Sequence, residues 1–386
     1  MSALAGVASR AAPTSPDELT PEWLTYALQQ GRTLGDARVV AIEVRPIGSG
    51  MAGTLVQVRL EYDRSLPMAP ASVIVKLQAP PGSTLDMARR LGIYERETRF
   101  YNEIAGEYPA PIPRLYYCCR TAPGCYALVL EDLSPATEGS LLYGCTYEQA
   151  RAVVGWIAEA HAAWWRSPKL DALDWMPKPN YAAASNVAAE STHRSWKIFR
   201  KKIGPGAPRT VVALGERLDG STNLLDELST EPLTLVHGDL RLPNVMFAPD
   251  GAPVAIVDWQ TAMRGRGAMD LSAFFLFSLS PEDRRTAEAN LLPGYIRMLE
   301  ERGIEGYSLE QCRRDYRLGI IDQFSQIVIL SSLLDVDSKL DHNVANAVGA
   351  RVFAAIEDLD LIELLAPRRR WWSSLFNRRV LPLTGA

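Results

Sequence analysis

Asp239 and Asn244 stand five positions apart in the run LVHGDLRLPNVMF (residues 235–247), and Asp258 follows near the end of PVAIVDWQ (253–260). An acid and an amide at that spacing, in a loop after an apolar strand, suit phosphoryl transfer to a hydroxyl. Asp239 would face the acceptor as base while the Asn244 oxygen reaches a metal. Asp258 sits where strand alternation favours an apolar residue, and a carboxylate there is costly unless a cation or metal compensates it. The two runs are separated by one hairpin turned at Asp250-Gly251, so they can be neighbours. The bland reading of Asp239 and Asn244 is an Asx-type loop that caps its own backbone. Asp258 arriving on cue argues against it.

Phosphates need a cation and backbone donors as well. Lys76 interrupts the apolar strand SVIVKLQ, where it either snorkels to solvent or meets an anion. In the helical run LDMARRLGIYERETRFYNEIA (85–105), Glu97 shares a face with Ile93, Phe100, Tyr101 and Ile104, whereas Glu95, Arg99 and Glu103 fall elsewhere. Glu97 is thus the buried carboxylate in want of a cation, and Lys76 is its expected partner, placed to hold the α- and β-phosphates. Gly48, Ser49, Gly50 and Gly53 form a glycine-rich turn between two strand-like stretches, which lets backbone N–H groups approach phosphates. No Gly-Lys-Ser/Thr follows it, so it is not a P-loop. His161, on a helical face with Ile157 and Trp164, reads as a satisfied core histidine, and His237 as a brace for the loop. Four His without ligand spacing speak against zinc.

These side chains need a frame. The first ~130 residues read as a β-rich lobe with one internal helix. Its parts are a short helix over EWLTYALQQ, the alternating strand TLVQVRLEY, the Lys76 strand, and two strands, RLYYCCR and CYALVLEDL, paired across a Pro123-Gly124 turn. From about Tyr147 helices dominate, among them 147–165 and 344–365, with the motif-bearing strands as an island between them. The boundaries expected are 1–133 for a nucleotide-binding lobe with a hinge at its end and 134–386 for a helical lobe with the catalytic loop and substrate site. A chain of 386 residues suits two lobes, each with its own core. The net charge of −4 argues against a polyanion-binding surface, so no nucleic-acid partner is expected. No apolar run reaches the roughly 20 residues that span a bilayer, and the N-terminus does not read as a signal peptide. Five Cys without metal spacing suggest reduced thiols and a cytoplasmic location.

The runs HGDLRLPN, VDWQ and GRGAMDLSAFF resemble the aminoglycoside phosphotransferase and choline kinase-like superfamily, whose pattern is H-G-D-x-x-x-x-N, then D-[WF]-[EQ], then D-L-A. VLEDL (129–133) is similar to its hinge, and the likeness extends from about Pro46 to Phe275. The resemblance implies an α+β, two-lobed protein-kinase-like fold and an enzyme that moves the γ-phosphoryl of ATP, or GTP, with Mg²⁺ onto a small-molecule hydroxyl. It makes Asp239 the catalytic base, Asn244 and Asp258 the Mg²⁺ ligands, and Lys76 and Glu97 the phosphate-holding pair. Glu131, Asp132 and Leu133 become the adenine-contacting hinge, Asp270 a brace of the catalytic loop, and Arg241 a residue that steadies a phosphate or salt-bridges nearby. Gln260 and the EDL hinge look more like the ecdysteroid-kinase-like branch, and HGDLRLPN more like the branch fused to acyl-CoA dehydrogenases.

The acceptor expected on this reading is a small-molecule hydroxyl, on an alcohol, sterol-like or sugar-like compound. Trp164, Trp165, Trp175 and Trp196 hint at a ring-containing one. An aminoglycoside O-phosphotransferase, whose cationic substrate the acidic run DVDSKLD could meet although a solvated helix face is the better reading of that run, and a non-catalytic nucleotide-binding protein are the alternatives. A protein kinase is disfavoured, because the 12 positions from Asp258 to Asp270 leave no room for a peptide-positioning segment. The run PRRRWWSSLFNRR (367–379) suits docking on the helical lobe or a homodimer contact better than a membrane surface.

Overall fold

The structure, a computed structural model, describes residues 11–50, 53–122, 125–218, 223–333 and 342–365. The Pro123-Gly124 turn and the runs 335–341 and 367–379 lie outside the described residues, as do Met51 and Ala52. The first part of the chain gives α1 (Pro21–Gln30), β1 (Val39–Gly50), β2 (Gly53–Tyr62), β3 (Ser72–Gln78), α2 (Ser83–Leu91), α3 (Ile93–Glu103), β4 (Leu115–Ala122) and β5 (Cys125–Glu131). Next come β6 (Thr137–Glu138), α4 (Tyr147–Trp164), α5 (Pro168–Asp171), α6 (Ala182–Lys202), α7 (Arg209–Leu218) and α8 (Asn223–Leu228). The short strands β7 (Thr234–Val236), β8 (Val245–Phe247), β9 (Pro253–Ile256) and β10 (Met263–Gly265) carry the motifs. The helices α9 (Ala268–Ser278), α10 (Pro281–Glu300), α11 (Leu309–Leu333) and α12 (His342–Asp358) complete the fold. Among the described residues no helix is long and apolar enough to cross a membrane.

The first five strands form one antiparallel sheet in the order β1-β2-β3-β5-β4. Period-two alternation sorts its side chains. Val73, Val75 and Leu77 pack with Val56, Val58 and Val129 against Trp23, Leu24 and Leu28 of α1. Ile74 turns to the opposite face, where Leu128 and Leu130 meet Phe100 and Tyr101 of α3. The same alternation sends Lys76 toward α3. Contrary to the expectation of one core per lobe, the division between cores runs through this sheet. The cluster beneath α3 continues through Trp259 and Ile256 into the helices of the C-terminal part.

The single helix expected over 85–105 is two. Gly92 adopts φ +67, a left-handed conformation that ends α2 and redirects the chain into α3. The run 344–365 divides as well, with α12 ending at Asp358 before a 3₁₀ turn at Leu361–Leu364. Trp164 and Trp165 are buried core residues, the Trp165 ring lying 4.9 Å from that of Tyr307.

Candidate active site

β7 pairs with β10 and delivers the chain into His237. The loop that follows is held by its backbone. The amides of His237 and Gly238 donate to the two oxygens of Asp270, at 2.7 and 2.9 Å, from the first turn of α9. Asp270 also meets His161 Nε2 at 3.3 Å, and His161 Nδ1 meets the Tyr295 hydroxyl at 2.9 Å. Burial raises the Asp270 carboxyl, but His161, His237 and the backbone donors outweigh it and hold it below the ordinary value. His237 Nε2 lies 2.9 Å from the Val257 carbonyl, so that nitrogen carries the proton and Nδ1 accepts the Asp239 amide at 3.3 Å. Gly238 has φ +81, and a Cβ there would lie 2.5 Å from the Thr261 carbonyl oxygen. No other residue type fits.

Asn244 donates Nδ2 to the Asp239 carbonyl at 2.7 Å, which commits its nitrogen inward and leaves Oδ1 as the outward acceptor. Its own carbonyl accepts the Val257 amide at 2.9 Å, tying the loop to the chain just before Asp258. Asp258 is not a strand residue. β9 stops at Ile256, and Asp258 takes φ +66, a conformation costly for a non-glycine residue. Trp259 then fills the interior, its ring 4.1 Å from Phe100 and parallel to within 5°, and its Nε1 donates to the Ile256 carbonyl. Such a stack contributes about 0.5–1.5 kcal/mol beyond area burial.

Lys76 Nζ lies 2.8 Å from Glu97 and 2.6 Å from Asp258, so one ammonium bridges α3 and the loop after β9. Burial opposes the charge on Lys76, yet Asp258 and Glu97 outweigh it and raise its pKa. Asp258, also buried but beside Lys76, His237 and Arg241, is held below the ordinary carboxylate value. For Glu97 burial dominates and Asp258 adds to it, so its pKa is raised in spite of Lys76. Its Oε2 and the Tyr101 hydroxyl have no hydrogen-bond partner among the described residues. Asp239 is raised too: burial pushes it up, Arg241 and His237 pull it down, and Asp258 adds to the rise. Asp239 and Asp258 side chains are 26% and 30% exposed, so each is enclosed by protein yet open on one side.

Arg241 Nε meets Asp239 Oδ1 at 2.9 Å, which makes it a partner of the acid itself. Gly48, Ser49, Gly50 and Gly53 close the β1–β2 ribbon, with Gly50 paired to Gly53. Glu131 and Asp132 are spent on the scaffold. Glu131 Oε2 accepts the Arg114 amide, and Asp132 accepts from Ser72, Gln57 and the Ser134 amide. The role of Ser72 and Gln57 was not legible, since nothing in their spacing ties them to residue 132. Asn244 Oδ1 and Asp258 Oδ2, the latter with only a 3.3 Å bond from Gln260, are hard oxygen donors of the kind that suit Mg²⁺. No group of three or more His, Cys, Asp and Glu among the described residues could hold a metal alone.

This β-sheet lobe and helical lobe, with a braced acid loop between them, define a protein-kinase-like fold. Residues 48–304 match the ecdysteroid kinase-like family, and the chain belongs to it. Among solved structures it is similar to a choline kinase from Cryptosporidium parvum, with a TM-score of 0.56 at 12% identity over 90% of this chain and 98% of that one. It is also similar to the GDP complex of aminoglycoside 2'-phosphotransferase-IIIa, with a TM-score of 0.51 at 14% identity over 87% and 98% of the two chains. Both likenesses are of fold. Acyl-CoA dehydrogenase family member 11 of Homo sapiens is 26% identical over 217 residues, 52% of this chain and 25% of the relative. A probable acyl-CoA dehydrogenase of Arabidopsis thaliana is 25% identical over 204 residues, 50% and 23% of the two. The chain thus spans about a quarter of these relatives' length.

Proposed function

We propose that the protein is a Mg²⁺-dependent kinase that transfers the γ-phosphoryl group of ATP to a hydroxyl of a small molecule. The observation that carries this reading is the meeting of three separate motifs at one place in the fold. Lys76 joins Glu97 to Asp258 while Asn244 fixes the backbone of Asp239. Membership of the ecdysteroid kinase-like family supports it.

In this reading Asp239 orients the acceptor hydroxyl and takes up its proton, and its raised proton affinity suits a base. Lys76 holds the α- and β-phosphates, with Glu97 fixing its position. The backbone N–H groups of Gly48, Ser49, Gly50 and Gly53 approach the same phosphates, and Arg241 stays on Asp239 as its salt-bridge partner. Asn244 Oδ1 and Asp258 would hold Mg²⁺, which neutralises charge on the phosphate oxygens. With both hinge carboxylates committed to the scaffold, adenine contact falls to the backbone of Glu131–Leu133.

The test is calorimetry with Mg-ATP and Mg-GTP, followed by ATP-consumption assays across alcohols, sterols and amino sugars. Hydroxylated acyl thioesters join the panel because two relatives carry acyl-CoA dehydrogenase names. Saturation a hundredfold above Kd should stabilise the fold by about 2.7 kcal/mol. Absence of nucleotide binding with metal present would sink the reading, and binding without transfer to any acceptor would favour a non-catalytic module.

A further inference from the structure

Helix α3 is gripped on two sides. Its inner face carries Glu97 and Phe100, which meet Lys76 and Trp259. Its outer flank carries the partly exposed Arg99 and Glu103, with the buried Arg96 between that flank and the inner face, and these meet the segment between α5 and α6. Arg99 lies with its guanidinium carbon 5.0 Å from the centre of the Trp175 ring. Glu103 Oε2 accepts Trp175 Nε1 at 2.8 Å, and Glu103 Oε1 accepts Arg99 Nε at 2.7 Å. The three side chains thus close a triangle of one ring contact and two hydrogen bonds. Arg96 adds a second such contact, 5.2 Å from the Tyr181 ring.

Trp175 stands on firm backbone. Met176 is fully buried, and the Pro177 carbonyl accepts the Arg264 amide at 2.8 Å. Arg264 lies in β10, opposite Leu235 of β7, one strand from His237. Asn180 is fixed in turn, its amide donating to Ser229 Oγ and its Nδ2 to Asp226. Hydrogen bonds at Trp175 and Pro177 and the backbone of residues 175–177 between them therefore join the outer flank of α3 to the strand pair that delivers Asp239.

We propose that Arg99, Glu103 and Trp175 form a latch, and that Trp175, from the helical lobe, is a positioning residue for the Lys76–Glu97 pair. The latch rests on the kinase reading above. Each contact is partly exposed and weak alone, but together they resist rotation of α3 about its axis. That rotation is the motion that would withdraw Glu97 from Lys76, because the inner contacts lie along one edge of the helix. A latch acting through Lys76 concerns phosphates and leaves adenine recognition alone.

The experiment is titration of Mg-ATP and of adenosine into wild type and variants by calorimetry. Trp175→Leu should weaken Mg-ATP about five- to tenfold, the scale of a single partly exposed hydrogen bond, with adenosine unchanged within about twofold. Trp175→Phe keeps a ring under Arg99 and should recover part of the loss. Added to Glu97→Gln, Trp175→Leu should cost nothing further. Arg99→Met, at a partly exposed position, should show the same ATP-selective loss on a smaller scale. Equal weakening of ATP and adenosine, unchanged ATP affinity, or full additivity with Glu97→Gln would overturn the latch. A wild-type chain that binds adenosine and Mg-ATP equally would overturn it too. A wild-type chain that binds neither would overturn the kinase reading and the latch with it.

Discussion

The loop after β7 and the loop after β9 each carry one carboxylate close enough to feel the other, and the two are tuned in opposite directions. Asp239 and Asp258 are similarly exposed, and burial pushes both toward the protonated form. Lys76 decides the difference. It sits 2.6 Å from Asp258 and holds it ionised, whereas Asp239 has Arg241 and His237 against burial and the neighbouring charge of Asp258. In the proposed reaction a metal ligand must stay ionised and a base must bind a proton, so the two environments suit one side-chain type to the two proposed tasks.

The sharpest break of that comparison is Asp239→Asn. Phosphoryl transfer should fall by about 10²–10⁴ while Mg-ATP affinity stays near wild type. Parallel activity and binding measurements check it, and a variant that also lost nucleotide would make the two loops equivalent. Asp258→Asn should lower Mg-ATP affinity by at least about tenfold in addition to rate, read as a loss of the magnesium dependence of binding.

Asp270→Asn attacks the brace common to the Asp239 loop and should destabilise the fold by about 1.5–3 kcal/mol in chemical denaturation. The folded-state pKa of Asp270 is lowered, so its contribution is present above the unfolded carboxylate value of about 3.9 and is lost as pH falls through the folded value. The gap between wild type and variant should accordingly narrow below about pH 4. Arg241→Ala has the smallest expected effect, about twofold or less in rate at neutral pH. Without that cation the Asp239 pKa rises further, so the acid limb of the rate profile should move to higher pH. An unmoved limb would mean that Arg241 does not set the protonation of Asp239.

Side chains whose type breaks a local pattern are readable from the sequence, and contacts set by strand register or by the packing of distant segments are not. Lys76 stood out because a charge in an apolar strand needs an explanation, and the helical face of Glu97 named its partner. The direct contact of Lys76 with Asp258 crosses 182 positions, and no period relates the two. Gly92 looked like one more residue of a helical run, since a glycine's φ is chosen by the packing on either side of it. The aromatic content of the helical lobe was plain, but Trp164 and Trp165 serve the core and Trp175 serves α3. Composition could not separate those uses. The Asp132 bonds to Gln57 and Ser72 were hidden for the same reason, because they depend on strand register.

Gly238 has a consequence for how lineages of this fold can be recognised. Its left-handed backbone and its closeness to Thr261 are demands of the loop's shape, as is the ring of His237 between Val257 and the Asp239 amide. Neither demand involves a reacting atom. A descendant that abandoned chemistry would remain under pressure to keep the histidine and glycine in order to fold, and would be free to shed the acid beside them. Surveys that gather sequences by the first two letters of this signature should therefore collect retired copies together with working ones, and residue 239 is where the two populations would part.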